Sequence, residues 1–188
     1  MNCSMIANLL DRSHPHILKG CMLADELPTR RISSKKGIMY IVNTLTSKSP
    51  VRAMGHFILF FIRNNDFVYY DSFNLHPRMH GKHVGHFYEK QIKGRSLRTL
   101  NYRVQANYSH VCGAHVVYFA MAIIKYKSLN LVFKHLKTFY SRTNYNRNDR
   151  KVVEFIYSLK HDLPPCDLVF CSDTINYAAC LKQICKSS

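Results

Sequence analysis

The alternation of apolar and polar residues predicts a β-hairpin in the middle of the chain. Residues 56–63 read HFILFFIR, a nearly continuous apolar run that is typical of a central strand buried on both faces. The pair Asn64-Asn65 marks a turn, and FVYYDSF over residues 67–73 predicts the return strand. In such a hairpin, His56 and Asp71 lie on neighbouring strands.

Two further segments predict strands. Residues 38–45, IMYIVNTL, form a short β-like run. In residues 97–105, LRTLNYRVQ, apolar side chains share one face, which predicts a half-exposed strand. This strand delivers Gln105 to the turn that precedes Cys112.

Apolar residues recur at helical spacing in the second half of the chain. The first such segment predicts a helix with one buried stripe, and residues 128–141 predict an amphipathic helix. Residues 149–159 predict a third helix, with Asp149 as its N-cap. Shorter helices are predicted over residues 4–10 and 83–92. The buried stripe of the first helix consists of Cys112, Val116, Phe119, Ala120, Ile123 and Ile124.

Cys112 falls at the start of the first of these helices. The positive end of a helix dipole lowers a thiol pKa and favours the nucleophilic thiolate. Asn107 and Ser109 are candidate N-cap residues, and Gly113 leaves the space beside the sulfur open. The alternative interpretation, a small buried hydrophobe, is the commoner state of a free cysteine. The choice between the two depends on the partners of Cys112 upstream.

Length and composition indicate one domain over residues 1–188, because 47% of the residues are apolar and this length can bury a substantial core. No run of about 18 apolar residues predicts a membrane span, and the N-terminus lacks a signal-peptide pattern. We therefore expect an intracellular protein without a membrane partner. Seven cysteines leave at least one without an intramolecular partner, and in a reducing compartment all are expected to be free.

The charge balance indicates a polyanionic partner. The chain carries 27 Lys and Arg against 11 Asp and Glu, a formal charge of +16, which gives a positive field over much of the surface. DNA or RNA is the partner that this field favours, although the same charge also serves solubility. The candidate DNA-contacting residues are Arg30, Arg31, Lys35, Lys36, Arg142, Arg147 and Arg150.

Two segments rich in histidine or cysteine resemble metal sites only weakly. Four histidines recur at three- and four-residue spacings that can share a helix face. No cysteine or carboxylate at zinc-like spacing accompanies them, so a solvated basic loop is the preferred interpretation. The gaps between the C-terminal cysteines are wider than those of a zinc ribbon, and we expect no metal site. The residues concerned are His76, His80, His83 and His86, and Cys166, Cys171, Cys180 and Cys185.

Four residues occur in the order and the places that a thiol hydrolase needs. Cys112 is the candidate nucleophile, and His56 is the base that takes or shares its proton. Asp71 can accept from the other ring nitrogen of His56 and fix its tautomer. Gln105 offers a side-chain NH₂ to a developing oxyanion, and the amide of Cys112 offers a second donor. Each residue alone has an ordinary structural explanation. The prediction therefore rests on where the four residues lie relative to the predicted strands and helix.

These residues also carry a resemblance to a known family. The chain resembles the adenovirus-type cysteine proteases, or adenains, within the ubiquitin-like-protein protease superfamily. The resemblance covers about residues 15–140, and residues 165–188 form a loosely matched tail. Gln105 lies seven positions before Cys112, which is the adenovirus interval, whereas cellular deconjugating enzymes use a slightly shorter one. The matching pieces are IVNT (41–44), GHFILFF (55–61), YYDSF (69–73) and VCGAHVVYF (111–119).

The resemblance implies an α+β, papain-like or adenain-like fold, with a central mixed β-sheet and the cysteine at the N-terminus of a buried helix. It implies the same roles for His56, Asp71, Gln105 and Cys112. It implies an endopeptidase from a DNA virus or a virus-like mobile element, which cleaves virion precursor proteins at small-residue, often glycine-containing sites. We expect a monomer that acts in the host nucleus and the virion.

Adenovirus enzymes are activated by DNA and by a short capsid-derived peptide that forms a disulfide with the enzyme. The basic charge independently favours DNA as an activator here, and the chemistry itself requires no cofactor. The family's disulfide-forming cysteine falls at about Gly94, so a peptide activator is not expected to be disulfide-linked. Two further departures are Phe57, where the family usually has Trp, and Asp71, where adenoviruses have Glu.

Two alternatives stay open. A protease that removes ubiquitin-like modifiers uses the same residue types, although the seven-residue Gln–Cys interval and the basic charge argue against it. A DNA-binding structural protein with a protease-like fold is the alternative from another class. The presence of all four candidate catalytic residues argues against that interpretation.

Overall fold

The computed structural model describes residues 1–11, 17–50, 53–126 and 128–159. Within them the chain forms a five-stranded sheet and five α-helices, a mixed architecture compatible with the expected α+β class. Short 3₁₀ helices span Ala24–Glu26 and Pro77–His80. In chain order the other elements are α1 (Cys3–Asp11), β1 (Leu18–Leu23), β2 (Ile38–Asn43), β3 (Phe57–Arg63), β4 (Asp66–Tyr70), α2 (Lys82–Ile92), β5 (Ser96–Arg98), α3 (Cys112–Lys125), α4 (Leu129–Phe139) and α5 (Tyr145–Leu159).

The sheet is mixed and has β3 at its centre. Its strands lie in the order β1-β2-β3-β4-β5; β3 is antiparallel to β2 and β4, and each edge strand is parallel to its neighbour. Six of the seven residues of β3 are buried, which confirms the prediction from its apolar run. The hairpin turn between β3 and β4 has Asn64 at a φ of 53°, a left-handed conformation that asparagine tolerates.

Alternate residues of the central strands face two separate cores. On one face, Leu59 and Tyr70 join buried side chains of α1, α3, α4 and α5. On the other face, Ile58 and Phe60 join Phe87 of α2. Side chains alternate in direction along a strand, which explains this division. Because helices cover both faces of the sheet, its three central strands, β2, β3 and β4, are predominantly apolar.

Most helices lie close to their predicted positions. α1, α2 and α4 begin and end within two residues of the predicted segments. α3 begins at Cys112 and buries 11 of its 14 residues, more than the single predicted stripe, because it packs between the sheet and α1, α4 and α5. None of the helices in the described residues is both long and apolar enough to cross a membrane.

Two predicted element boundaries are wrong. The strand expected over residues 97–105 ends at Arg98, because the chain then leaves the sheet and buries Leu100 and Val104 in the core that contains α3. The helix expected to begin at Asp149 begins four residues earlier. Its cap is Asn144, whose Oδ1 accepts from the amide of Arg147 at 3.0 Å. Asp149 therefore lies inside α5, fully buried.

Some predictions fall outside the described residues and stay predictions. They concern the tail over residues 165–188 and the four cysteines Cys166, Cys171, Cys180 and Cys185.

Candidate active site

The hairpin places His56 and Asp71 at the same end of the sheet. His56 immediately precedes β3, and Asp71 immediately follows the antiparallel strand β4. The Nε2 atom of His56 lies 2.7 Å from Oδ1 of Asp71. Thr44 fixes the backbone of His56 from the other side. The Thr44 amide donates to the His56 carbonyl at 2.8 Å, and the Thr44 hydroxyl accepts from the His56 amide at 3.0 Å.

Asp71 is a buried carboxylate surrounded by hydrogen-bond donors. Oδ1 accepts from the amide of Phe73 at 2.9 Å, and Oδ2 accepts from the amide of Leu75 at 3.1 Å and from Nε2 of His80 at 2.9 Å. Burial alone raises the pKa of a carboxyl group. Here the hydrogen bonds from His56 and His80 outweigh burial and hold the pKa of Asp71 well below its usual range. Asp71 is therefore ionised.

The thiol of Cys112 lies at the start of α3, within hydrogen-bonding reach of the ring of His56. Asp71 takes Nε2 of that ring, which leaves Nδ1 for the thiol. The backbone amides of Phe57 and Gly113 also favour the thiolate. Burial raises the pKa of the Cys112 thiol, but the hydrogen bond and charge of His56, helped by these amides, lower it below the usual thiol value.

The pKa of His56 is shifted in the opposite direction to that of Cys112. Burial on its own lowers the pKa of an imidazole, but Asp71 on one side and Cys112 on the other raise the pKa of His56 to about 9. The contact therefore favours a thiolate paired with an imidazolium. A nucleophilic cysteine acts in this protonation state.

The N-terminus of α3 carries no side-chain cap. Val111 occupies the cap position and makes no capping hydrogen bond, so Asn107 and Ser109 are wrong as predicted N-caps. Both lie too far upstream, because the helix begins only at Cys112, and the buried hydroxyl of Ser109 has no partner among the described residues. Because no side chain caps them, the backbone amides in the first turn of α3 can donate to an anion beside the N-terminus of the helix.

The space beside Gly113 is filled. A Cβ atom placed on Gly113 would lie 3.1 Å from Cβ and 3.3 Å from Sδ of Met1. The expectation that Gly113 leaves open space is therefore wrong, because the Met1 side chain packs against Gly113.

The Gln105 side chain forms hydrogen bonds to the segment that follows Asp71 and to the segment that precedes Cys112. Its Oε1 accepts from the Ser72 hydroxyl at 2.5 Å, and its Nε2 donates to the Ser109 carbonyl at 2.6 Å. Ser72 follows Asp71 directly, and Ser109 lies three positions before Cys112, so Gln105 bridges the two segments. The side chain is fully buried. Of the two hydrogens on its Nε2, Ser109 takes one.

Two buried residues of α5 hold Gln105, and the sequence did not predict them. Nδ2 of Asn148 donates to the carbonyl of Val104 at 2.9 Å, and Oδ2 of Asp149 accepts from the amide of Ala106 at 3.2 Å. The two chain neighbours of Gln105 are thus fixed by consecutive residues of one helix. The contacts join positions 44 and 43 residues apart, a separation at which no local pattern indicates a contact.

His115, three residues after Cys112 on α3, has a structural role. Its Nε2 lies 2.7 Å from Oδ1 of Asp149, and its Nδ1 lies 3.1 Å from the hydroxyl of Tyr140. Burial lowers the pKa of the fully buried His115, and the opposing effect of Asp149 is smaller. His115 is therefore a neutral ring that ties α3 to α5.

His80 is a further residue that the sequence did not assign to the site. Its ring stacks on the ring of His56, with centroids 5.4 Å apart. The ligand-type atoms of His56, Asp71 and His80 lie within 4.8 Å of one another, the one such group among the described residues that could hold a metal ion. Hydrogen bonds to the ionised carboxylate already account for this grouping. It includes none of His76, His83 and His86.

The seven candidate DNA-contacting residues are all exposed, and they lie in two segments. Residues 30–36 precede β2, and residues 142–150 flank the start of α5. The structure adds three basic residues near the end of α2. Lys90 donates to the Thr29 carbonyl and Arg95 to the Ile32 carbonyl, and Arg31 donates to the Lys93 carbonyl at 2.6 Å. We call this group the basic patch: Arg30, Arg31, Lys35, Lys36, Lys90, Lys93 and Arg95.

Comparison with models of known protein families found no match to this chain, and comparison with curated proteins found no significant match. The adenain likeness is therefore a resemblance carried by the motifs alone.

Proposed function

We propose that this chain is a cysteine endopeptidase of a DNA virus or virus-like mobile element, with the papain-like arrangement of the adenains, and that it cleaves virion precursor proteins during maturation. One observation carries the proposal. The thiol of Cys112, at the start of a buried helix, lies within hydrogen-bonding reach of His56, whose Nε2 binds the buried carboxylate of Asp71. A cysteine that only fills space in a core needs neither partner.

Acylation follows from this geometry. The thiolate of Cys112 attacks the carbonyl carbon of the peptide bond, and the C=O electron pair moves to the oxygen. The amide of Cys112 and the second Nε2 hydrogen of Gln105 stabilise the oxyanion. His56 then gives its Nδ1 proton to the leaving amine, and the C–N bond breaks to leave a thioester. Asp71 orients the ring and stabilises its positive charge.

Deacylation uses the same residues. Neutral His56 accepts a proton from water, and the water oxygen attacks the thioester carbonyl. The C–S bond breaks, the acid product leaves, and the thiolate–imidazolium pair is restored. These steps balance with water as the only co-substrate.

DNA is the proposed partner and activator. The net charge of +16 and the largely exposed basic patch support this, because each neutralised phosphate releases counterions and adds affinity without regard to sequence. Such an association fits action in the host nucleus and the virion. At the position of the family's disulfide-forming cysteine this chain has Gly94, with a φ of 68°, so a peptide activator would bind without a covalent link.

Cleavage of a peptide library tests the proposal. The wild-type chain, Cys112→Ala and Cys21→Ala are incubated with a proteome-derived library, with and without DNA, and mass spectrometry identifies the new N-termini. We expect the wild type and Cys21→Ala, which changes a half-buried cysteine of β1, to cut the same sites. Cys112→Ala should be inactive with an unchanged melting temperature. Cleavage by Cys112→Ala would remove Cys112 from the role of nucleophile.

Other outcomes point to the alternative functions. Labelling of Cys112 by a ubiquitin-like modifier with a C-terminal vinyl sulfone, without peptide cleavage, would indicate a deconjugating protease. Tight DNA binding by a chain whose Cys112 does not react with iodoacetamide at neutral pH would indicate a DNA-binding structural protein.

A further inference from the structure

We propose that His80 is a positioning residue of the candidate site, which holds the Asp71 carboxylate in the orientation that serves His56. Its catalytic meaning rests on the proposed function, whereas its geometry does not. His80 is the last residue of the 3₁₀ helix Pro77–His80, and Gly81, at a φ of 92°, turns the chain from there into α2. Its effect reaches the thiol through Asp71 and His56.

His80 contacts both members of the His–Asp pair. Its Nε2 lies 2.9 Å from Oδ2 of Asp71, which is the oxygen that His56 does not use. Its ring is inclined by only 24° to the ring of His56. The side chain is 6% exposed, against 17% for His56, so this hydrogen bond forms away from bulk water, where it is electrostatically stronger.

The charge of Asp71 decides where His80 carries its proton. An ionised carboxylate only accepts hydrogen bonds, so Nε2 of His80 must carry hydrogen. The hydroxyl of Tyr69 lies 3.5 Å from Oδ2, but its one hydrogen goes to the Leu75 carbonyl at 2.8 Å. Among the described residues, His80 is therefore the side chain that secures this oxygen, beside the amide of Leu75.

This bond has a consequence for the Cys112–His56 pair. Donors on both oxygens oppose rotation of the carboxylate, so Oδ1 stays directed at Nε2 of His56. Without His80, the amides of Phe73 and Leu75 still hold the carboxylate, and we expect a looser contact with His56. A looser contact favours the imidazolium less, and the thiolate that pairs with it becomes less favourable too.

Nitrogen NMR of the wild-type chain tests the position of the proton. In a sample with ¹⁵N-labelled histidine, two-bond hydrogen–nitrogen correlations distinguish a protonated Nε2 from a bare one. We expect His80 to be protonated at Nε2 near neutral pH, with its signals assigned by their loss in His80→Gln. A bare Nε2 cannot donate to Asp71, so this result would overturn the proposal.

Alkylation of Cys112 by iodoacetamide tests the functional part, because it requires no substrate. His80→Phe keeps a stacking ring and loses the donor, whereas His80→Gln restores an N–H donor at similar reach. His86→Phe, on the exposed side of α2, is the matched control. Below neutral pH we expect His80→Phe to react about tenfold more slowly, as for other outer partners of a functional histidine. His80→Gln and His86→Phe should react at nearly the wild-type rate.

Two results would contradict the proposal. If Cys112 is alkylated in His80→Phe at the wild-type rate, His80 does not favour the thiolate–imidazolium pair of Cys112 and His56. Equal losses in His80→Phe and His80→Gln, at unchanged melting temperatures, would mean that the N–H is not what matters. If a variant does not fold, the tautomer measured in the wild type decides. Failure of the proposed function gives a different result. The wild-type Cys112 would then react with iodoacetamide at the rate of an ordinary thiol, and His56→Ala would not change that rate.

Discussion

At the scale of single residues, charged neighbours outweigh burial. Cys112, His56 and Asp71 are all largely buried, and burial disfavours the charged form of each. In the row thiolate, imidazolium, carboxylate, each charge lies beside one of opposite sign. As a result, the pKa values of the thiol and of the carboxyl group are lowered, and the pKa of the imidazole is raised. Each of the three charges therefore depends on its neighbours.

Asp71→Asn should move the titration of His56 to lower pH. The carboxylate favours the imidazolium, so its loss lets burial lower the pKa of His56 from about 9. We expect a fall of about 1–3 units, the effect of one adjacent opposite charge. Histidine-ring NMR across pH measures it. Asp25→Asn, which changes an exposed carboxylate bonded to Ser47, is the control, and an equal shift in both variants would argue against the direct contact.

The peptide cleavage rate should fall on both sides of a plateau. Donation to the leaving amine requires the imidazolium, which is lost as pH rises through the His56 pKa of about 9. Attack requires the thiolate, which is lost as pH falls through the lowered pKa of Cys112. The pH profile of kcat/KM checks both limbs. A rate that keeps rising above pH 9 would contradict the role of His56 as proton donor.

At the scale of elements, α5 connects the helix that begins at Cys112 to the loop that contains Gln105. Asp149 accepts from His115 of α3 with one oxygen and from the amide of Ala106 with the other. Its neighbour Asn148 donates to the carbonyls of Val104 and Ser141 and accepts from the Ser141 amide. One helix therefore sets the position of Gln105 relative to α3.

Asn148→Ala should reduce both stability and turnover. The change leaves the buried carbonyl of Val104 unpaired, at about 1–3 kcal/mol of unfolding free energy, and removes the partner of the half-buried amide and carbonyl of Ser141. We expect kcat to fall more than KM rises, because the loop positions an oxyanion donor and not the substrate. Denaturant unfolding and steady-state kinetics measure the two effects. Asn146→Ala, at an exposed position of the same helix, should change neither, and a matching loss there would contradict the specific role of Asn148.

At the scale of the whole molecule, positive charge is widespread but unevenly placed. The chain has 27 Lys and Arg, and seven of them form the basic patch beside α2. Two of its side chains hold the loop over residues 29–32 through backbone carbonyls. The patch therefore has a defined local structure on which a phosphate backbone could rest.

Replacing both Lys35 and Lys36 by Ala should weaken DNA binding and its dependence on salt. If each lysine contacts one phosphate, the slope of log K against log salt falls by about 2 in magnitude. The control replaces Lys134 and Lys137, two exposed residues of α4, by Ala. It removes the same charge from a position outside the basic patch. Fluorescence anisotropy over a salt series compares the pairs. Equal effects would mean that net charge alone, and not the basic patch, binds DNA.

Local patterns were sufficient for the hairpin and most helices, because side-chain period and turn residues act within a few positions. They also placed His56 and Asp71 together, since a two-residue turn sets which ends of two strands meet. They were insufficient for residues 97–105, where burial under α3 takes the chain out of the sheet. The N-cap at Asp149 was wrong for a related reason, because a buried hydrogen bond to His115 places this carboxylate inside the helix.

The sequence by itself determined the central hairpin, strand β2, most of the helices and the four residue types that a thiol hydrolase needs, because each of these depends on composition and short spacing. Only the tertiary structure decided which further groups join His56 and Asp71 in the site. It brought His80 to the second oxygen of Asp71, Met1 to Gly113, and α5 to the loop of Gln105. Such contacts join distant segments, and their geometry depends on how whole elements pack against one another, which no local pattern records.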